Sequence, residues 1–172
     1  LSAVPSGQTA PRPASGFGPG TTVLLVEDND INREILMEIL DAYGASVTPA
    51  VNGQEAVELF SRSPVSSFDV ILMDIQMPEM NGLEACRAIR GMQGQDASSI
   101  PVIAMTANSY QEDAGAAAEA GMDGFVTKPV DAEYLCQVSE RAQRLGQPAE
   151  GSRLIEDRQR LHAAFRIRIA GQ

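Results

Sequence analysis

Four apolar residues, Val70-Ile71-Leu72-Met73, run without interruption into a single carboxylate, Asp74. A loop with Pro78 and Asn81-Gly82 follows, and helix-like spacing begins at Leu83. An unbroken apolar run of this length fits a strand buried on both faces, the environment of a parallel sheet covered by helices. Open sheets of that kind place their chemistry at the carboxyl ends of the strands, where Asp74 then falls. The alternative is that Asp74 only caps a turn. The rest of the chain decides between the two.

The same pattern recurs on both sides of this stretch. Val23-Leu24-Leu25-Val26 is a second buried run, ended by Glu27-Asp28-Asn29-Asp30. Ile31, Ile35, Leu36, Ile39 and Leu40 recur at helical spacing after it, with Gly44 at the expected helix end. Asp28 or Asp30 is expected to cap that helix. Residues 45–50 (ASVTPA) form a weak strand, and Pro49 demotes it to a sheet edge. A second helix is expected from about Gly53 to Phe60, with Ala56, Val57 and Phe60 on one face. A loop spans Arg62 to Phe68, and the third helix covers Leu83 to about Ile89. Beyond the polar loop 91–99 lies a fourth strand, Val102 to Met105, followed by Thr106. An Ala-rich helix from about Ser109 to Ala120 comes next, weakened by Gly115 and ended by Gly121. A short fifth strand, Gly124 to Thr127, closes on Lys128-Pro129, and a fifth helix is expected from about Asp131 to Leu145. Five strands alternating with five helices imply parallel pairing through right-handed crossovers. The Pro-bearing second strand suits an edge. The expected fold is therefore α/β, a flavodoxin-like (βα)5 doubly wound parallel sheet in strand order 2-1-3-4-5.

Composition bounds the function. The chain has 172 residues, 44% hydrophobic, and a formal net charge of -10. Residues 21–147 carry 20 acidic and 7 basic side chains, a net of -13 by subtraction, whereas 148–172 carry five Arg against three acids. An acidic body disfavours nucleic acid and favours metal ions or basic protein surfaces. Cys86 and Cys136 have neither metal-ligand nor redox spacing, and free buried thiols fit a reducing compartment, the cytoplasm. No apolar run approaches a membrane span and no signal peptide is present, so no direct membrane contact is expected. Three segments are expected: a Pro/Gly/Ser-rich flexible linker at 1–20, one folded domain at 21–146, and a tail at 147–172. In the tail, Leu154, Leu161, Phe165 and Ile169 are compatible with a short amphipathic helix. The first residue is Leu, so the chain is expected to be a piece of a longer protein with something upstream of the linker.

Four of the predicted strands end in polar or charged residues: Glu27 and Asp28, Asp74, Thr106, and Lys128. Parallel strands share one carboxyl edge, so these five residues should converge. Strands one and three flank the topological switch point, which brings Glu27, Asp28 and Asp74 close together. Three carboxylates in one crevice repel one another, and a hard divalent cation, Mg²⁺, relieves that cost. Lys128 is the only lysine in the chain, a compact point charge suited to pairing a carboxylate or phosphoryl oxygen. Thr106 offers a hydroxyl at the same edge. Each residue also has an ordinary reading: Thr106 as an N-cap of the fourth helix, Lys128 as a surface charge. All four strand ends would have to coincide for those readings to hold together. A carboxylate beside Mg²⁺ and a lysine can act as a nucleophile toward phosphorus and form an acyl phosphate. No G-x-x-x-x-G-K-[ST] or G-x-G-x-x-G is present, so the donor should be an activated phosphoryl group rather than ATP itself.

"LLVEDND", "VILMDIQMPEMNG", "VIAMTAN" and "GFVTKPV", in this order, resemble the motif set of response-regulator receiver domains over residues 22–145. The resemblance implies that Asp74 is the phosphoacceptor. It implies that Asp28, Asp74 and the backbone carbonyl of Gln76 hold Mg²⁺ and that Glu27 holds it through a water. Thr106 would contact the phosphoryl oxygens, and Lys128 would pair with Asp74 or the phosphoryl group. Thr106 and Phe125 would form a switch that alters the surface of the fourth helix, fifth strand and fifth helix. Self-catalysed phosphorylation and dephosphorylation follow from the same resemblance.

The "VEDNDINREI" and "MDIQMPEMNGLEA" forms resemble receivers fused to hybrid sensor histidine kinases. That context implies a histidine kinase core as phosphodonor and a histidine phosphotransfer domain as a partner, in the cytoplasmic part of a membrane-bound sensor kinase. His162, the only histidine, is followed by Ala-Ala-Phe rather than a lysine, so it is expected in a linker or partner-docking helix rather than as a phosphotransfer site. A stand-alone response regulator is one alternative. A Mg²⁺-dependent aspartyl-phosphate phosphatase is another, disfavoured because Gln76 replaces the second Asp of D-x-D and the nucleophile follows strand three. A docking-only pseudo-receiver is disfavoured by the intact residue set.

Overall fold

The structure is a computed structural model that describes residues 20–94, 96–107, 111–131, 133–137 and 139. Nine elements follow in order: β1 (Thr22–Val26), α1 (Asp30–Ala42), β2 (Ser46–Ala50), α2 (Gly53–Arg62), β3 (Val70–Asp74), α3 (Gly82–Arg90), β4 (Val102–Thr106), α4 (Gln111–Glu119) and β5 (Gly124–Thr127). Residues 133–137 and 139 are helical as well. The expected linker apart from Gly20, the tail at 147–172 with His162, and the ends expected for the fourth and fifth helices at 109–110 and 140–145 lie outside the described residues. No described helix is long and apolar enough to cross a membrane.

The five strands form one sheet in the order β2-β1-β3-β4-β5, every pair parallel. This is the flavodoxin-like arrangement expected from the sequence. Side chains alternate across a strand, so each inner strand feeds two cores. Leu24, Val26, Ile71, Met73 and Ala104 pack with Ala56, Phe60, Cys86 and Ile89 on the α2/α3 side. Val23, Leu25, Leu72, Ile103 and Met105 pack with Leu36, Leu40, Leu135 and Cys136 on the other. Covering helices on both faces explain why β3 and β4 are buried along their whole length. β2, half-exposed and carrying Pro49, lies at the edge, where a missing N–H costs no ladder bond.

Helix ends follow local chemistry. Asn29, Asn52 and Asn81 cap α1, α2 and α3 by accepting from the backbone N–H three residues on. The expectation of an Asp28 or Asp30 cap is thus corrected. Asn29 is the extended residue just before the first helical turn, and Asp30 is already helical. At the far end of α1, Gly44 has φ +92°, with Gly44 N–H donating to Asp41 O and Ala45 N–H to Leu40 O. Gly121 (φ +94°) ends α4 in the same way, through Ala118 O and Ala117 O. Both are Schellman endings, which need a left-handed residue. β3 and β4 each extend one residue beyond the apolar run, because Asp74 still pairs with Met105 and Thr106 with Thr127.

Candidate functional site

The strands β1 and β3 lie side by side, with Val26 opposite Met73, so the residues just after them share one edge. Glu27 is fully buried there. Its N–H donates to Ala50 O at 3.1 Å, its Oε1 accepts from Asn29 N–H at 3.2 Å, and its Oε2 accepts from Lys128 Nζ at 2.7 Å. Asp74, also buried, accepts from Lys128 Nζ through Oδ2 at 2.9 Å and from Gln76 N–H through Oδ1 at 3.1 Å. Asp28 is exposed, and one carboxylate oxygen from each of Glu27, Asp28 and Asp74 lies within 4.8 Å of the others.

Lys128 arrives from the opposite side of the sheet. β5 pairs with β4 up to Thr106↔Thr127, and Lys128 N–H then donates to Thr106 O at 2.7 Å. The Lys128–Pro129 peptide is cis. Burial works against the ammonium charge, but hydrogen bonds and attraction from Glu27 and Asp74 outweigh it and hold the Lys128 pKa above the ordinary lysine value. Burial also pushes Glu27 up, opposed by its bond from Lys128 and reinforced by the neighbouring Asp74 charge. One cation between two carboxylates leaves Asp28 as excess negative charge at the rim. Three carboxylate oxygens so placed, one of them open to solvent, suit a hard divalent cation that keeps part of its water shell.

The loop after β3 is closed on itself. Ile75 N–H donates to Met105 O, and Gly82 N–H donates to Ile75 O at 2.9 Å. Asn81 and Glu84 form a reciprocal capping box at its end. A Cβ on Gly82 would lie 2.2 Å from Asp74 O, so the chain passes against the Asp74 backbone where only glycine fits.

All the residues expected at this edge are found along it. Glu27, Asp28 and Asp74 approach one another and Lys128 reaches Glu27 and Asp74, while Thr106 is buried at the end of the neighbouring strand. Gln76 is exposed in the loop, with its amide turned to Asp74. Phe125 stands opposite Ala104, half-buried against the α2/α3-side core. Sequence reasoning missed two supports. Arg33 reaches from the first turn of α1 to Glu27 O at 3.0 Å and to the Asp30 carboxylate. Asn29 caps that turn. Its signal was in the sequence, since Asn caps as well as Asp; the lone Arg33 gave no comparable sign.

The family model described as the response regulator receiver domain matches residues 23–140. Among curated proteins, the chain is 39% identical over 118 residues to "Hybrid signal transduction histidine kinase I" of Dictyostelium discoideum, covering 67% of this chain and 7% of that protein. It is 39% identical over 134 residues to "Histidine kinase 3" of Arabidopsis thaliana, covering 67% of this chain and 13% of that protein. The chain thus spans only a small part of the curated relatives it matches. Among solved structures it is similar to the receiver domain of sensor histidine kinase PA1611 from Pseudomonas aeruginosa PAO1, described with a magnesium ion coordinated in its active site cleft. That match has TM-score 0.65 and 34% identity and covers 73% of this chain and 98% of that one.

Proposed function

The chain belongs to the response regulator receiver domain family, and from that premise we propose that Asp74 is its phosphoacceptor and that the cluster around it is the reaction site. The chain is a receiver of the two-component and phosphorelay type, homologous to the receivers of hybrid histidine kinases. The observation that carries the assignment is the pairing of one Lys128 ammonium with both Glu27 and Asp74 beside the solvent-facing Asp28. In the transfer, one Oδ of Asp74 forms a P–O bond as the P–N bond of a phosphohistidine breaks, and the imidazole keeps the electron pair. Asp28, Asp74 and the Gln76 carbonyl, with Glu27 acting through a water, would hold a Mg²⁺ ion, which when bound would neutralise phosphoryl charge. Lys128 is released from part of its carboxylate pairing to meet a phosphoryl oxygen, and the Thr106 hydroxyl donates to another. Its movement gives Phe125 room to turn inward, which changes the face of α4, β5 and the helical residues after 132.

The donor is read as a histidine kinase core and the next acceptor as a histidine phosphotransfer domain, both within a hybrid kinase system in the cytoplasm. Cys86 and Cys136, buried and not joined in a disulfide, accord with a reducing compartment. Incubation with Mg²⁺ and a small phosphodonor, followed by intact-mass analysis, tests the assignment. A single adduct that survives acid, is lost in base and is absent from Asp74→Asn is expected. An adduct retained in Asp74→Asn would sink the phosphoacceptor assignment, and release of many phosphates per chain would make the protein a phosphatase instead.

A further inference from the structure

Arg33 takes no part in the reaction just described, yet it is the one long cationic side chain described against the acidic turn from outside the Asp74 pair. Only 15% of its side chain is exposed. Its Nη1 donates to Glu27 O at 3.0 Å and its Nη2 to the Asp30 carboxylate, so the guanidinium spans the turn from its first residue to the start of α1. The rest of the turn is fastened to the same two ends. Asn29 N–H donates to Glu27 Oε1, Asn29 Oδ1 accepts from Asn32 N–H, and Asn29 O accepts from Arg33 N–H.

Asp28 lies between these fixed points, and no hydrogen bond or ion pair to its carboxylate is found among the described residues. Its place within 4.8 Å of Glu27 and Asp74 is therefore set by the backbone on either side of it. We propose that Arg33 is a positioning residue for the divalent-cation site: by holding the Glu27 carbonyl and Asp30, it aims the otherwise unsupported Asp28 carboxylate at the site. This rests on the reading of Glu27, Asp28 and Asp74 as metal-binding groups.

Charge and geometry predict opposite signs, which makes the assignment testable. A cation that acted only through its field would repel the metal, and its removal would tighten binding. A cation that holds a ligand-bearing turn would weaken binding when removed, by about 10- to 100-fold, as for other groups that orient metal ligands. Arg33→Lys keeps the charge but cannot span both acceptors in a planar fork, so positioning predicts weaker binding for it too.

Mn²⁺ affinity is measured on the 172-residue chain by electron paramagnetic resonance of the free ion, with Mg²⁺ as competitor. Wild type, Arg33→Gln, Arg33→Lys, Asp28→Asn and the Arg33→Gln/Asp28→Asn double variant are compared, with circular dichroism confirming that each is folded. We expect Arg33→Gln to bind at least about tenfold more weakly, Arg33→Lys to fall between it and wild type, and Arg33→Gln to add nothing in the Asp28→Asn background. Such non-additivity is the mark of a residue that acts through another, and general destabilisation would not produce it. Wild-type affinity in both folded Arg33 variants, tighter binding in Arg33→Gln, or fully additive losses would overturn the Arg33 assignment alone. A wild-type chain that binds no Mn²⁺ would remove the metal-site reading and the Arg33 assignment with it. Should Arg33→Gln not fold, the Arg33→Lys and Asp28→Asn pair carries the same comparison.

Discussion

At Lys128 one ammonium group stands between two carboxylates, and its titration reports on the site directly. Its pKa is raised because attraction to Glu27 and Asp74 exceeds the cost of burial. A lysine raised in this way contributes stability fully below its unfolded value, about 10.4, and loses that contribution as pH rises through the folded value. Glu27, also raised, acts above its ordinary carboxylate value. Between its ordinary and folded pKa values the folded chain holds a proton that the unfolded chain has lost, so stability falls as pH rises through that window. Lys128 is the only lysine, so a ¹³C-lysine-labelled sample shows one side-chain Cε resonance. In the absence of divalent metal its midpoint should lie above that of a free lysine and move down in both Glu27→Gln and Asp74→Asn. An unshifted midpoint in either variant would mean that carboxylate does not pair with it in solution. The sequence made the place of Lys128 at this edge legible because a lone lysine sits at a strand end. It could not show that the ammonium bridges two carboxylates, which depends on β5 and β1 converging across three intervening strand pairings.

Elements fix these side chains through a few close approaches, and two glycines separate the cases. Gly82 begins α3 against the Asp74 carbonyl, where a Cβ would sit at 2.2 Å. Gly115 lies inside α4 with nothing within 4 Å of its absent Cβ. Gly82→Ala should therefore cost about 2–4 kcal/mol through forced backbone displacement and should slow the phosphorylation proposed at Asp74 as well. Gly115→Ala should stabilise by roughly 0.5–1 kcal/mol, the ordinary gain in a helix interior with room for the methyl group. Urea denaturation of both variants checks the signs, and a neutral Gly82→Ala would show that the loop after β3 yields freely. Element order, sheet order and the edge where the acidic strand ends converge are all legible in the sequence, because apolar runs, turn residues and polar strand ends repeat in step. Boundaries were less so: polar Asp74 and Thr106 continue their strands because backbone pairing does not stop where hydrophobicity does. Links made by long side chains left no local trace. Arg90 at the end of α3 donates to Gly121 O, Ala97 O and Asp123 Oδ2, joining the loops on either side of β4 and α4 at the edge away from Asp74. No periodicity encodes a reach across 31 residues.

For the whole molecule the controlling quantity is charge. Residues 21–147 carry 20 acids against 7 bases, so the folded body repels itself, and Glu27, Asp28 and Asp74 bring three of those acids together. Two effects of added salt must then be separated. Any electrolyte screens the diffuse repulsion and raises stability modestly. A cation that binds the folded cluster adds a further increment that grows with the logarithm of its concentration, about 2.7 kcal/mol at a hundredfold excess over its Kd. Thermal midpoints measured in NaCl and in MgCl₂ at matched ionic strength divide the two. Wild type should rise in both salts, with a surplus in MgCl₂ that keeps growing with concentration. Asp28→Asn should show the NaCl response and little of the surplus, although it has lost the same kind of surface charge as any other exposed acid. A control at Glu58→Gln, an exposed acid on α2, should keep the full surplus. Equal responses to the two salts in wild type would mean that the chain senses only ionic strength and that the acidic edge does not select a divalent ion. A surplus retained in Asp28→Asn would move the binding elsewhere on the acidic body. The surplus therefore tests at the scale of the whole fold what the three carboxylate oxygens imply at the scale of a few ångströms.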